Sequence, residues 1–251
     1  MTENRETAGA APQRPVADLL REGADALGIS LAPEEIGRYE TYIRELLDWN
    51  QRMNLTAAHE PGEVAVKHVL DSLTCVHAVK LGRGVRTLDV GTGAGFPGVV
   101  LKIHAPDLPL TLLDSTRKKL DFLEHLTGVL GFTDVATLHA RAEDAGHDRR
   151  HRERYDLVVA RAVAELRVLL EFCLPFVRVG GTFLAMQGPR GDEETAPARN
   201  ALATLGGTLE RVIPLSLPFE AGERRLIVVR KRRPTPAAYP RQAGAPSKSP
   251  L

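Results

Sequence analysis

The amino-acid sequence predicts an α/β fold, a Rossmann-like sheet carrying a helical extension on its N-terminal side. Three observations predict it. Residues 87–90 read as a short buried strand running straight into Gly91-Thr-Gly93-Ala-Gly95, where glycines let the backbone turn sharply and let a ligand approach the main chain. After Gly84, short apolar runs alternate with helical stretches, the pattern of a parallel sheet with helices on both faces. The last two strands are separated only by Ser216 to Arg225, too little for a crossover helix, so they form an antiparallel hairpin at the sheet edge.

The elements follow in order. Residues 1–14 are polar and rich in Ala, Pro and Gly, and 234–251 carry repeated Pro with Ser and Lys. Neither buries enough to order itself, so both are expected to be disordered tails. Residues 15–82 form an N-terminal helical region, because apolar residues recur three or four apart within 16–20, 36–49 and 64–79. Pro33-Glu-Glu and Pro61-Gly-Glu start helices there, their acids opposing the positive end of the helix dipole. Residues 83–233 form the Rossmann-like domain, with strands expected over 87–90, 110–113, 135–138, 157–160, 182–186, 209–215 and 226–230. Pro97 suits the first turn of the helix that follows the glycines.

Composition bounds the function. With 251 residues, 43% hydrophobic and 26% charged, the chain buries one good core plus a small satellite. Its net charge of +1 neither demands nor excludes RNA, because phosphate binding depends on where basic residues cluster. Cys75 and Cys173 lie far apart in apolar helical stretches, with no C-x-x-C and no histidine spacing suited to zinc. They read as inert core thiols, and no metal site is expected. No apolar run approaches the roughly 18 residues that span a bilayer, and no apolar signal core opens the chain. The expectation is a soluble, cytoplasmic protein without membrane association.

The ligand question turns on register. Gly93-Ala-Gly95-Phe-Pro-Gly98 spells the dinucleotide fingerprint G-x-G-x-x-G, yet the first glycine after the strand is Gly91, and counted from there the third glycine falls on Phe96. A nicotinamide dinucleotide is thereby disfavoured. Asp89 before the turn, three alternating glycines, and Asp114 ending the next strand instead suit S-adenosylmethionine. Asp114 lies 21 residues beyond Gly93, where a strand-end carboxylate accepts hydrogen bonds from both ribose hydroxyls. The same acid serves NAD, so it supports the fold more than the ligand. A parallel sheet closed by a hairpin is the usual methyltransferase variation on the dinucleotide fold, which makes the expected class that of class I S-adenosylmethionine-dependent methyltransferases.

Several stretches together resemble the bacterial small-subunit rRNA methyltransferase G family: Trp49-Asn50 with Asn54-Leu55-Thr56, His68-Val-Leu-Asp71-Ser72, Asp89 through Gly98, Leu112-Leu-Asp114-Ser115 with Lys118-Lys119, Arg141-Ala-Glu143, Ala160-Arg161-Ala162, and Gly222-Glu-Arg224. The resemblance runs from about residue 46 to 231, and its specificity lies in order and spacing. It implies S-adenosylmethionine as cofactor and methylation of N7 of a guanine in the decoding-region loop of 16S rRNA. It also implies cofactor contacts at Gly91, Phe96, Ala142, Glu143 and Arg161, with Gly93 in the turn and Asp114 at the ribose. Two positions depart from the family pattern. Gln187 stands where lysine is common, which puts any role of that lysine in doubt, and Arg225 stands where histidine is frequent.

No residue is assigned a catalytic role outright; Arg161, His68 and Asp71 are the candidates near the methyl-transfer site. Arg161 follows the fourth strand and suits a carboxylate or phosphate, or else an ion pair at a helix start. His68 and Asp71, three apart on one helical face, meet RNA or close the cofactor pocket, or else Asp71-Ser72 only caps or pairs within the helical region. Glu143 is either an adenine partner or a solvated loop acid. Candidate RNA contacts are Arg52 and Lys67 before the sheet, Lys118 and Lys119 after the ribose acid, and Arg190, Arg224 and Arg225 beyond it. The run from Arg149 to Arg154 reads more simply as a loop.

The chemistry is narrowed by what is missing. After the fourth strand stands Ala160-Arg-Ala, not the Asp/Asn-Pro-Pro-aromatic sequence of amine methylation, and neither cysteine is placed to add to a cytosine ring. Guanine N7 needs neither device. Low aromatic content, 5%, argues for one extruded base and contacts to shaped backbone. The expected partner is 16S rRNA within the small subunit or its precursor, met by a monomer. The alternatives are a methyltransferase of the same fold acting on a small molecule or protein, a cofactor-binding module without catalysis, and an NAD-linked oxidoreductase.

Overall fold

The computed structural model describes residues 14–161 and 164–251. Of the tail expected at 1–14, all but Arg14 lies outside the described residues. Two helices come first, α1 (Val16–Ala26) and α2 (Pro33–Asn50). The Pro33-Glu-Glu start works as expected: Glu35 reaches back to accept the Ala32 N–H at 2.8 Å, and its other oxygen meets His104 Nδ1 at 2.8 Å. A continuous helical run follows, from α3 (Pro61–Val64) through a π-helical segment (Ala65–Leu70) and α4 (Asp71–Leu73) to a 3-10 turn (Thr74–His77). Periodicity in the sequence signals a helix there but not the widened turn.

The sheet comprises β1 (Thr87–Val90), β2 (Leu110–Asp114), β3 (Val135–His139), β4 (Tyr155–Arg161), β5 (Val177–Gln187), β6 (Gly207–Ser216) and β7 (Glu223–Lys231). Its order is β3-β2-β1-β4-β5-β7-β6. The first five strands are parallel, while β7 runs antiparallel to both β5 and β6. Each of the seven expected strands is present, and the hairpin folds so that its second strand, not its first, pairs with β5. The intervening helices are α5 (Gly98–His104), α6 (Arg117–Val129), α7 (Ala142–Ala145), α8 (Leu166–Cys173) and α9 (Arg199–Leu205), and α10 (Ala245–Lys248) closes the chain.

Period-two alternation divides the core. Val158 and Ala160 of β4, Phe183 and Ala185 of β5, and Ile227 and Val229 of β7 face α8 and α9. Their neighbours Leu157, Val159, Leu184 and Val228 face the opposite side, where Leu101 and Cys75 lie. Both faces are covered, as a parallel sheet requires. The N-terminal helices pack over α5 and α6 on that second side, with Tyr39 and Tyr42 fully buried. Cys75 and Cys173 are both buried and free, and burial pushes both thiols up, far from reactivity. No helix among the described residues is long and apolar enough to cross a membrane.

The tail expected to be disordered at 234–251 is instead packed against the domain. Arg152 donates to the carbonyls of Thr235 (2.7 Å), Tyr239 (2.8 Å) and Pro236 (3.1 Å). Arg241 forks onto Glu171 of α8, at 2.9 and 2.6 Å, where the acid is wholly buried. Composition misjudged this segment because charge-assisted hydrogen bonds anchor it, besides the packing of Tyr239 and Leu251 on the core. The 149–154 run is a loop, as read from the sequence, but within it Arg152 is half-buried and serves as an internal tie.

Candidate active site

The parallel topology brings the C-terminal ends of β1, β2, β3 and β4 to one edge, and the chain reverses direction between β1 and β4. That switch point is where open α/β sheets bind ligands. Here a cavity of about 590 Å³ opens, within the range of small-molecule sites. Gly91, Gly93 and Phe96 line it from the turn and Asp114 from β2. Ala142 and Glu143 line it from α7, and Arg161 from the end of β4. All seven cofactor candidates read from the sequence are thus brought together.

The floor is built around Asp89 of β1, which has no exposure. Its Oδ2 accepts the Thr92 hydroxyl at 2.7 Å and the Gly98 N–H at 2.8 Å, tying the two ends of the glycine turn together. Burial nevertheless pushes its carboxyl up to about 6. Its Oδ1 is buried without a hydrogen-bond partner among the described residues. Above it, Gly93 sits at φ +58°, and a Cβ built there meets nothing nearer than the Gly91 carbonyl at 3.9 Å. The turn therefore offers bare backbone to the cavity. Asp114 is bound on both oxygens, accepting Gly93 N–H at 3.1 Å and Thr116 N–H at 2.8 Å, with Lys119 Nζ at 3.6 Å.

Phe96 is the centre of a stack. Its ring lies 5.0 Å from that of Tyr42 at 14°, 5.0 Å from His68, and 4.9 Å below the Arg161 guanidinium. Arg161 donates to the Lys67 carbonyl and to Asp71 Oδ2, each at 3.2 Å, and Nη2 lies 3.3 Å from His68 Nδ1. His68 Nε2 is 3.0 Å from the Thr56 hydroxyl. Its Nδ1 also lies 3.0 Å from the Lys67 carbonyl, so a proton on Nδ1 is donated to that carbonyl, while a proton on Nε2 is donated to Thr56 and leaves Nδ1 to accept from Arg161. Burial first, and the Arg161 cation second, lower His68 to about 4, so the ring is neutral at physiological pH.

Asp71 does not reach the cavity. It is buried behind Arg161 and also accepts from Arg224 Nε at 3.1 Å, so it is a paired residue, but its partners come from β4 and β7 and not from within the helical region. Glu143 is 7% exposed and not a solvated loop acid; its Oε1 accepts the Gly244 N–H at 3.0 Å. Lys119, an RNA-contact candidate, lines the cavity. Of the other basic candidates, Arg52 pairs with Asp48 and Lys67 with Glu63. Arg225 pairs with Asp192 and Glu223, whereas Lys118 and Arg190 are exposed. Gln187 donates to the Ala164 carbonyl at 3.1 Å, joining the end of β5 to the segment before α8.

Four contributors escaped sequence reasoning. Tyr42 lies 52 residues from Ala94, whose carbonyl accepts its hydroxyl proton at 2.6 Å. Arg141 lines the cavity beside Ala142, and Gly244 and Ser247 close it from the C-terminal segment. Only Arg141 carried a signal, as the residue preceding the Ala-Glu pair.

A switch-point cavity on a glycine turn, in a sheet closed by the β6–β7 hairpin, defines a class I S-adenosylmethionine-dependent methyltransferase. The fold is shared with the crystal structure of precorrin-6y C5,15-methyltransferase from Geobacter metallireducens GS-15, at TM-score 0.51 and 12% identity over 64% of this chain and 88% of that one. Residues 35–227 match the profile of the GidB family, rRNA small subunit methyltransferase G. Two ribosomal RNA small subunit methyltransferases G are close relatives. That of Pelotomaculum thermopropionicum is 49% identical over 94% of this chain and 99% of its own, and that of Alkaliphilus oremlandii 47% over 93% and 98%. The chain belongs to the rRNA small subunit methyltransferase G family and depends on S-adenosylmethionine.

Proposed function

We propose that this chain methylates N7 of a guanine in the decoding-region loop of 16S rRNA, with S-adenosylmethionine held in the switch-point cavity. The observation that supports this best is the composition of the cavity wall. Acceptors stand at Asp114 and Glu143, apolar surface at Phe96, Leu113 and Phe172, and cations at Lys119, Arg141 and Arg161, a set matching ribose hydroxyls, an adenine and an amino-acid carboxylate. Gly93, with room for ligand against bare backbone, fits the same group. Asp114 receives the ribose hydroxyls, Ala142 and Glu143 border the adenine, and Arg161 grips the carboxylate or an RNA phosphate.

When bound, S-adenosylmethionine supplies the electrophilic methyl carbon. Guanine N7 carries an in-plane lone pair and loses no proton, so the chain needs no general base; it aligns the base, excludes water and tolerates the cation that forms. Neutral His68 adds no further positive charge at this edge. The Asp71 carboxylate, 3.2 Å from Arg161, offsets part of that guanidinium's charge.

The RNA is bound by exposed Lys118 and Arg190, together with Arg52, Lys67 and Arg225. Exposed ion pairs are worth only about 0–1 kcal/mol, so exchanging Asp48 or Glu63 for phosphate costs little. Arg224, held by Asp71, orients this rim. The substrate is the small ribosomal subunit or its precursor, approached by a cytoplasmic monomer. Labelled methyl transfer to unmodified small subunits, followed by cleavage mapping at N7-methylguanine, tests the assignment. A single labelled guanine in the decoding loop is expected; label only at another base, or only on protein, overturns it.

A further inference from the structure

Leu55, Thr56 and His68 line the cavity from the N-terminal side, and one further wall comes from beyond the last strand. Gly244 and Ser247 form it, and they belong to the segment after the last strand, which doubles back over α7 and α8. The ties that hold the approach to this segment include Arg152 on its carbonyls, His147 Nε2 at 2.7 Å from the Pro240 carbonyl, and the Arg241–Glu171 fork. Beyond Arg241 the only hydrogen bond from the segment to the cavity residues is Gly244 N–H to Glu143 Oε1, among the described residues. Gly244 sits at φ +82° with nothing within 4 Å of a built Cβ. The amide is thus presented by an open left-handed turn, not forced there by packing.

We propose that residues 242–251 are a strap that completes the cofactor site, with the Gly244 amide fixing the Glu143 carboxylate and the segment covering the adenine side. The inference rests on reading the cavity as the S-adenosylmethionine site. A carboxylate on a four-residue helix has rotational freedom to lose when it meets a ligand; one oxygen already held by an amide leaves less to lose. Charge-assisted bonds of this kind are about twice as strong as neutral ones. The strap acts on cofactor binding alone, because it touches Glu143 and not the Arg161–His68 edge where the base arrives.

The test is a chain ending at Gln242, which keeps Arg241 on Glu171, compared with the full chain by calorimetry with S-adenosylhomocysteine and by steady-state kinetics. The strap predicts about tenfold weaker binding of S-adenosylhomocysteine and a KM for S-adenosylmethionine raised by the same factor, with kcat at saturating cofactor within twofold. In the full chain, hydrogen exchange at the Gly244 amide slows when S-adenosylhomocysteine binds. Affinity unchanged or increased by the truncation overturns the proposal, as does a loss confined to kcat. Should the shortened chain not fold, exchange at Gly244 in the full chain decides alone, and unchanged exchange rejects the strap. A full chain that binds no S-adenosylhomocysteine would instead defeat the cofactor reading beneath it.

Discussion

Arg161 at the end of β4 and Asp71 in the N-terminal helical run meet at 3.2 Å, 90 residues apart in sequence. The carboxylate is 5% exposed and the guanidinium 14%, so this is a desolvated pair, and the carboxylate serves Arg224 as well. Removing the acid leaves two cations short of their acceptor. Asp71→Asn is expected to cost about 2–3 kcal/mol of stability, below the range for fully buried pairs because Arg224 is partly exposed. A double-mutant cycle with Arg161→Ala, read by urea denaturation, is expected to show coupling of about 1 kcal/mol or more. Additive losses would show that the pair contributes nothing.

Tyr42 ties the N-terminal helices to the cofactor turn. Its hydroxyl is wholly buried, and Gly95, at φ +102°, has no room for a Cβ because that hydroxyl stands 2.7 Å away. Tyr42→Phe keeps the ring on Phe96 but leaves the Ala94 carbonyl without this donor. Thermal denaturation should report a loss of about 1–3 kcal/mol, and S-adenosylhomocysteine affinity should fall with it. A stable variant with full affinity would show that the turn holds its shape unaided.

Asp114→Ala tests the proposed ribose contact. Losing two hydrogen bonds of about 0.5–1.5 kcal/mol each predicts S-adenosylhomocysteine binding weaker by about 1–3 kcal/mol. Unchanged calorimetric affinity would remove Asp114 from the site.

Asp89 gives the protein a pH dependence of opposite sign to that of an ordinary carboxylate. Burial raises its folded pKa to about 6, above the unfolded value near 4, so between these limits the native state binds more protons. Its stabilising contribution is present below about pH 4 and is lost as pH rises through 6, a change of roughly 3 kcal/mol. Asp148, held low by Arg150, acts in the opposite sense but does so in any Asp89 variant. Asp89→Asn can still accept from Thr92 and Gly98. It should therefore gain stability relative to the parent as pH rises from 4 to 7 in urea titrations. A stability difference independent of pH would show Asp89 ionised throughout.

How much was legible follows the range of the interactions. The strands were readable because alternation and glycine punctuation are local, and Gly91, Gly93 and Asp114 were readable because a strand, its turn and the next strand end are linked by fixed spacing. His68 and Arg161 carried family-like surroundings, but their contact did not: it needs the helical run folded over the sheet edge. The ordered C-terminal segment was misread for a related reason, since Arg152 and Glu171 look like surface charge until their partners arrive from 83 and 70 residues away.

Sequence alone determined the α/β class, the seven strands, the glycine turn and the acid beyond it, because period-two burial and backbone turns are written in neighbouring residues. Tertiary structure alone decided that β7 inserts between β5 and β6, that Asp71 serves two arginines, and that the C-terminal segment lines the cavity and bonds Glu143. Those outcomes depend on which charges lose their water together, and burial is a property of the assembled chain, not of any stretch of it.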